Sequence, residues 1–188
     1  MLGKLLRVLR AGDRKLAMCR DEFSNIPETI LVTSKNFSHE DRIPDRFTQS
    51  GNNLSPDLEW NSLPSGTRSV VVIVEDPDAP LPNPFVHAIV FNLLPPMTQI
   101  AEGAIPNATN VRERSLDPPL CLGKNTFGRT AYLGPAPIPG SGPHHYYFQV
   151  FALDSERMFQ RPPGRKDIIR EMAGHVLAKG FLVGTYER

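Results

Sequence analysis

Cysteine is almost missing from this sequence: Cys19 and Cys121 stand far apart and match no metal-ligand spacing. A disulfide-stapled secreted scaffold is therefore not expected, and two isolated thiols point to a reducing compartment, the cytoplasm. Long apolar runs are missing too, since none reaches the roughly 18 residues that cross a bilayer as a helix. Neither sign of charge dominates. The 21 Lys and Arg against 20 Asp and Glu leave a net charge of +1, which gives no footprint for nucleic acid. The five histidines show neither HExxH nor another recurrent zinc spacing, and no G-x-S-x-G elbow presents a serine nucleophile. No metal and no cofactor are expected.

What the chain has in quantity is loop chemistry: 19 prolines and 14 glycines in 188 residues. With 40% hydrophobic and 22% charged residues it sits near globular averages. Its length suits one domain that buries roughly 70% of the surface its unfolded form exposes. At the start, Leu2, Leu5, Leu6, Leu9 and Leu16 fall on one face of a hypothetical helix, with Lys4, Arg7, Arg10, Arg14 and Lys15 on the other. Such a segment suits a transit peptide, a membrane-surface anchor or an element packed on the body. Asp13 on its apolar side and Gly12 within it favour the packed or peripheral reading. The division expected is a basic amphipathic segment over 1–26 and a domain over 27–188.

Strands are expected at Ile30–Thr33, ending at Trp60, at Ser69–Glu75, Phe85–Leu94, His144–Leu153 and Phe181–Tyr186. Ser69–Glu75 reads SVVVIVE, almost wholly apolar and β-branched, as a strand covered on both faces requires. Between Arg165 and Lys179 an apolar stripe of Ile168, Ile169, Met172, Ala173, Val176 and Leu177 recurs at the helical period, and Gly180 offers a stop. A β-rich middle without βαβ alternation predicts a mainly β fold, a sandwich of antiparallel sheets with peripheral helices.

Three clusters could carry chemistry. Asp76-Pro77-Asp78-Ala79-Pro80 puts two carboxylates at the end of a buried strand in a proline-stiffened corner. By itself such a segment is better explained by a turn whose Asp side chains accept backbone N–H groups. His87 lies near the start of the next strand among apolar neighbours, where a carboxylate from Asp76 could reach one ring nitrogen and leave the other facing a cavity. The third cluster runs from Tyr132 to Tyr146, dense in proline and glycine, and could aim backbone N–H groups at an anion. Strand alternation puts His144 and Tyr146 on one face and His145 on the other.

In this order the clusters resemble the phosphatidylethanolamine-binding protein (PEBP) family, including its Raf-kinase-inhibitor-like branch, over about residues 29 to 188. DPDAP looks like the family's first signature, His87 like its pocket histidine, and Gly142-Pro143-His144-His145-Tyr146 like its Gly-x-His-Arg-Tyr signature. Asn92, Phe127-Gly128-Arg129 and the terminal Gly184-Thr185-Tyr186-Glu187-Arg188 are similar as well. The basic start and the run Pro80-Leu81-Pro82-Asn83-Pro84 resemble fungal members. The resemblance implies a pocket for a small anion such as phosphate, phosphoethanolamine or a carboxylate, bounded by Asp76, Asp78, His87, Gly134, Ala136, His144 and Tyr146. His145 departs from the family's usual arginine, and a histidine there makes a weaker, pH-dependent brace for the acidic corner. Pro135-Ala136-Pro137 replaces a stretch usually richer in glycine.

Two functions remain open at this level. One is a binding or regulatory module whose occupied pocket modulates contact with a protein partner, with no nucleic acid and at most peripheral membrane contact. The other is an enzyme or accessory cyclase, with Asp76 and His87 as an acid–base pair. By family analogy it would assist the dimerising cyclisation of anionic polyketide intermediates such as maleic anhydrides in fungal secondary metabolism. The basic start is expected to be dispensable for ligand binding, since none of its residues matches a pocket position.

Overall fold

A computed structural model describes residues 10–107 and 120–188. The fold is mainly β, built as two antiparallel sheets. Strands β1 (Val32–Thr33), β2 (Leu58–Trp60) and β5 (Gln99–Ile100) form a small sheet in the order β1-β2-β5. Strands β3 (Ser69–Asp76), β4 (Phe85–Leu93), β6 (Cys121–Leu122), β7 (His144–Leu153) and β8 (Val176–Tyr186) form the large one, in the order β6-β4-β3-β7-β8.

Strand β3 lies in the middle of the large sheet, and side-chain alternation explains its sequence. Val70, Val72 and Val74 face the small sheet with Leu58, Trp60, Phe148 and Val150. Val71 and Ile73 face the opposite side, where Leu16, Met18 and Phe23 pack with Ile168, Ile169 and Met172. Both faces are covered, so every residue of β3 is buried and no polar alternation survives.

The second cover is made of two pieces. One is the helix α1 (Arg165–Met172), and the other is the segment from Arg10 to Ile26, a chain of short 3-10 turns at Asp13–Lys15, Ala17–Cys19 and Asp21–Phe23. The start therefore packs on the body in its described part. Leu2, Lys4, Leu5, Leu6, Arg7 and Leu9 lie outside the described residues. Three buried polar side chains hold the segment down. Glu75 accepts the Ala17 amide at 2.7 Å, Gln149 accepts the Met18 amide at 2.8 Å, and Lys179 donates to the Met18 and Phe23 carbonyls at 3.0 and 2.9 Å.

The helix is shorter than the stripe predicts. It ends at Met172, the chain reverses through Gly174 (φ +79°), and Val176 begins β8 opposite Leu153. Pairing with β7 runs down to Tyr186 opposite His144, and this ladder captures Val176–Lys179 against their helical period. Gly180 is consequently not a helix stop. A Cβ there would lie 1.9 Å from the Ile30 carbonyl oxygen, so glycine permits the close approach of the chain that leads into β1.

Candidate functional site

Two irregularities in the large sheet assemble one pocket. Along β3 and β4 the register steps from Val74↔Ala88 to Glu75↔Val86, so His87 is an extra residue in a β-bulge. Regular alternation from Ala88 would turn His87 toward the face carrying Ile89 and Glu75. The bulge instead brings its ring against Tyr146, with centroids 5.1 Å apart and edge to face, and against Phe85 at 4.8 Å. On β7 the expected parity is what the strand shows: His144 and Tyr146 are buried on the pocket side, and His145 is partly exposed.

The second irregularity is the corner after β3. Asp76 is buried, and its Oδ1 accepts the Asp78 and Ala79 amides at 2.7 and 3.1 Å, while Oδ2 lies 2.8 Å from His144 Nδ1. The side chain thus closes an Asx-type turn and fixes a histidine at once. His144 Nε2 in turn lies 3.1 Å from the Ser141 hydroxyl.

Asp76, His87, Ala136, His144 and Tyr146 line a pocket of about 480 Å³ together with Ala79, Pro80, Leu81, Phe85, Pro137 and Ile138. Gln49, Thr126 and Phe127 complete it; of these, sequence reasoning noted only Phe127, and Gln49 gave no signal. His39 and His175 lie elsewhere, one packed on Phe181 and the other 2.9 Å from Asp154 Oδ1.

Three expectations need correction. Asp78 does not line the pocket: its carboxylate turns outward, where Oδ1 meets the Arg10 guanidinium at 2.6 Å and Oδ2 accepts the His145 amide at 2.8 Å and lies 2.7 Å from His145 Nδ1. Gly134 does not line it either. Its amide donates to Asn53 Oδ1 at 2.7 Å and its carbonyl accepts from Gln49 Nε2 at 2.9 Å, and a Cβ there would stand 2.3 Å from the Phe47 carbonyl oxygen. Third, Asp76 bonds His144 and not His87. His87 Nδ1 instead bonds the Leu133 carbonyl, which can only accept, so Nδ1 carries the proton.

Burial is the main reason that the His87 ring is held below the ordinary histidine range. His144 acts in the same direction, against the Asp76 charge and the Leu133 carbonyl. The ring is therefore neutral at pH 7, and Nε2, buried and without a hydrogen-bond partner among the described residues, carries a lone pair. Tyr146 is pushed far above the ordinary phenol range by burial first and the Asp76 charge second, so its hydroxyl keeps its proton. The first charge-bearing residue of the basic segment within the described part, Arg10, lies behind this corner and outside the pocket lining. Besides Asp78, Arg10 donates to the Ser141 and Pro143 carbonyls at 3.0 and 3.3 Å, bridging the acidic corner and the loop before His144.

Among known proteins, the chain is 41% identical over 160 residues to a UPF0098 protein of Pyrococcus horikoshii, covering 84% of this chain and 77% of that one. A solved PEBP homolog of Chlamydia trachomatis superposes with a TM-score of 0.73 at 32% identity, covering 85% of this chain and 97% of that one. Escherichia coli YbcL, described as a member of the mammalian PEBP family, gives 0.75 at 27% identity over 85% and 98%. These relatives are archaeal and bacterial, and they do not support the Raf-kinase-inhibitor-like branch or a fungal source. The family model described as phosphatidylethanolamine-binding protein matches residues 33–187, from β1 through the end of β8, and the chain belongs to that family.

Proposed function

We propose that the chain is a binding module whose pocket, bounded by Asp76, His87, His144 and Tyr146, takes a small oxyanion or a phospholipid head group. The observation that carries this reading is His87 Nε2, a buried ring nitrogen without a partner among the described residues, on a side chain that lines a pocket of about 480 Å³. A buried polar atom left unpaired costs roughly 1–3 kcal/mol, which a ligand bonded to it would recover. Tyr146 adds a protonated hydroxyl at the same wall, and Leu81, Phe85, Phe127 and Ile138 add apolar surface for the part of a ligand beyond its head group.

Binding is favoured over acid–base turnover because Asp76, the carboxylate that would serve His87 in proton transfer, is committed to His144 and two backbone amides. Calorimetric titration with inorganic phosphate and with O-phosphoethanolamine tests the reading. His87→Ala should weaken binding about tenfold to a hundredfold in a protein that still folds. Unchanged affinity in the folded variant would remove His87 from the site.

A further inference from the structure

With its proton on Nδ1, the His87 ring offers Nε2 as an acceptor of a hydrogen bond and not as a donor. Its partner nitrogen spends the ring's single proton on the Leu133 carbonyl, and that carbonyl cannot serve any other tautomer. A fully ionised oxyanion brings only lone pairs, so set against Nε2 it would leave two acceptors facing each other. Resting on the proposed binding function, we infer that the group docked on His87 is itself a hydrogen-bond donor. The pocket thus selects oxyacids that keep an O–H, or head groups that carry an ammonium, over oxyanions without a proton.

The surroundings support this. The titratable groups around the His87 ring are Asp76 at the end of β3 and His144 and Tyr146 on β7; β4 itself and the 126–133 segment contribute Phe85, Thr126, Phe127 and the Leu133 carbonyl. Among the described residues that line the pocket Asp76 is the one carboxylate, and its charge opposes a second negative charge nearby. Among them there is no Lys or Arg; the cations nearby are Arg188, which donates to the Pro137 and Ala136 carbonyls, and Arg10, which is paired with Asp78. Burial disfavours the imidazolium that would turn Nε2 into a donor. Donors for the remaining ligand oxygens are present in the Tyr146 hydroxyl and in Thr126, whose Oγ1 accepts the Val86 amide at 2.7 Å and leaves its own hydrogen free to point elsewhere.

Phosphate and sulfate separate the cases, because at pH 7.5 every phosphate ion keeps at least one O–H and sulfate keeps none. Titrated calorimetrically against the whole chain, phosphate should bind at least about tenfold more tightly than sulfate, as expected where a buried acceptor is left unpaired by the wrong ligand. His87→Gln, whose amide can turn either a donor or an acceptor toward the ligand, should bring the two affinities close together. Two monoesters then identify the donor. Methyl phosphate and O-phosphoethanolamine are both mostly dianionic at pH 7.5, with second ionisations near roughly 6, and only the second has an ammonium. Binding of O-phosphoethanolamine that is tighter than that of methyl phosphate and at least as tight as that of inorganic phosphate assigns the donor to a head-group ammonium; weaker binding of both than of inorganic phosphate assigns it to an O–H. Sulfate or methyl phosphate binding as tightly as phosphate overturns the inference and leaves the binding function standing. No binding of any of the four probes overturns both.

Discussion

Asp76 and His87 stand on neighbouring strands and line the same pocket, yet their polar atoms are used in opposite ways. On the Asp76 side both carboxylate oxygens are engaged, by two backbone amides and by His144, and the outward neighbour Asp78 is engaged by Arg10 and His145. On the His87 side one nitrogen is spent on a backbone carbonyl and the other has no partner among the described residues. The first wall is a brace, and its chemistry is consumed in holding shape. The second wall leaves a buried polar atom unpaired at a cost to the fold's stability, the pattern on which the proposed binding function rests. The difference teaches that the residue carrying the most charge in the pocket need not be the one that meets a ligand.

The comparison is broken most severely at Asp76. Asp76→Ala removes the acceptor of two turn amides and strands His144 Nδ1 in a buried site, so it should cost about 3–5 kcal/mol in urea unfolding. A loss below about 1 kcal/mol would mean that the corner holds without its carboxylate. Arg10→Ala should cost less, about 1–2 kcal/mol, because the pair with Asp78 is charge-assisted but part exposed. Its second effect sharpens the comparison. If the Arg10 bridge positions the loop that carries Ser141 and leads into His144, phosphate affinity falls as well, and the basic start is not dispensable as its sequence suggested. Calorimetric titration of the folded variant reads both.

Much of the frame was legible because it rests on local rules. The run SVVVIVE announced a strand covered on both faces, and the His144/Tyr146 parity followed from the two-residue repeat alone. The misses are all long-range. The helical stripe past Met172 is genuine, but the ladder with β7 outweighs it, and no window of sequence contains β7 and β8 together. The bulge that re-aims His87 depends on how many residues β4 spends between its pairings with β3, a count that composition does not encode. Asp78 was read as a pocket residue because Arg10, which draws it outward, lies 68 residues away. Gly134 was read as an anion donor, whereas what it needs is room beside the Phe47 carbonyl, a contact across 87 residues of chain between folded loops.

The finest test of the comparison is the pH dependence of stability, read without ligand in a buffer free of phosphate. In the fold His87 takes up its proton less readily than in the unfolded chain, because burial dominates its surroundings. As pH falls below the unfolded value of roughly 6.5, the unfolded state therefore binds the proton first. Stability from this group is full above that pH and is lost progressively below it. For a ring that stays neutral in the fold, the loss at pH 6 is at most about 0.8 kcal/mol. His87→Leu removes the titration while keeping an apolar side chain, so the gap between variant and wild type should shift in favour of the variant by up to that amount between pH 7.5 and pH 6. The other histidines are common to both proteins and largely cancel in this double difference. A gap that is flat with pH would show that His87 accepts its proton as easily in the fold as out of it, and the unpaired nitrogen on the second wall would then be a donor in waiting.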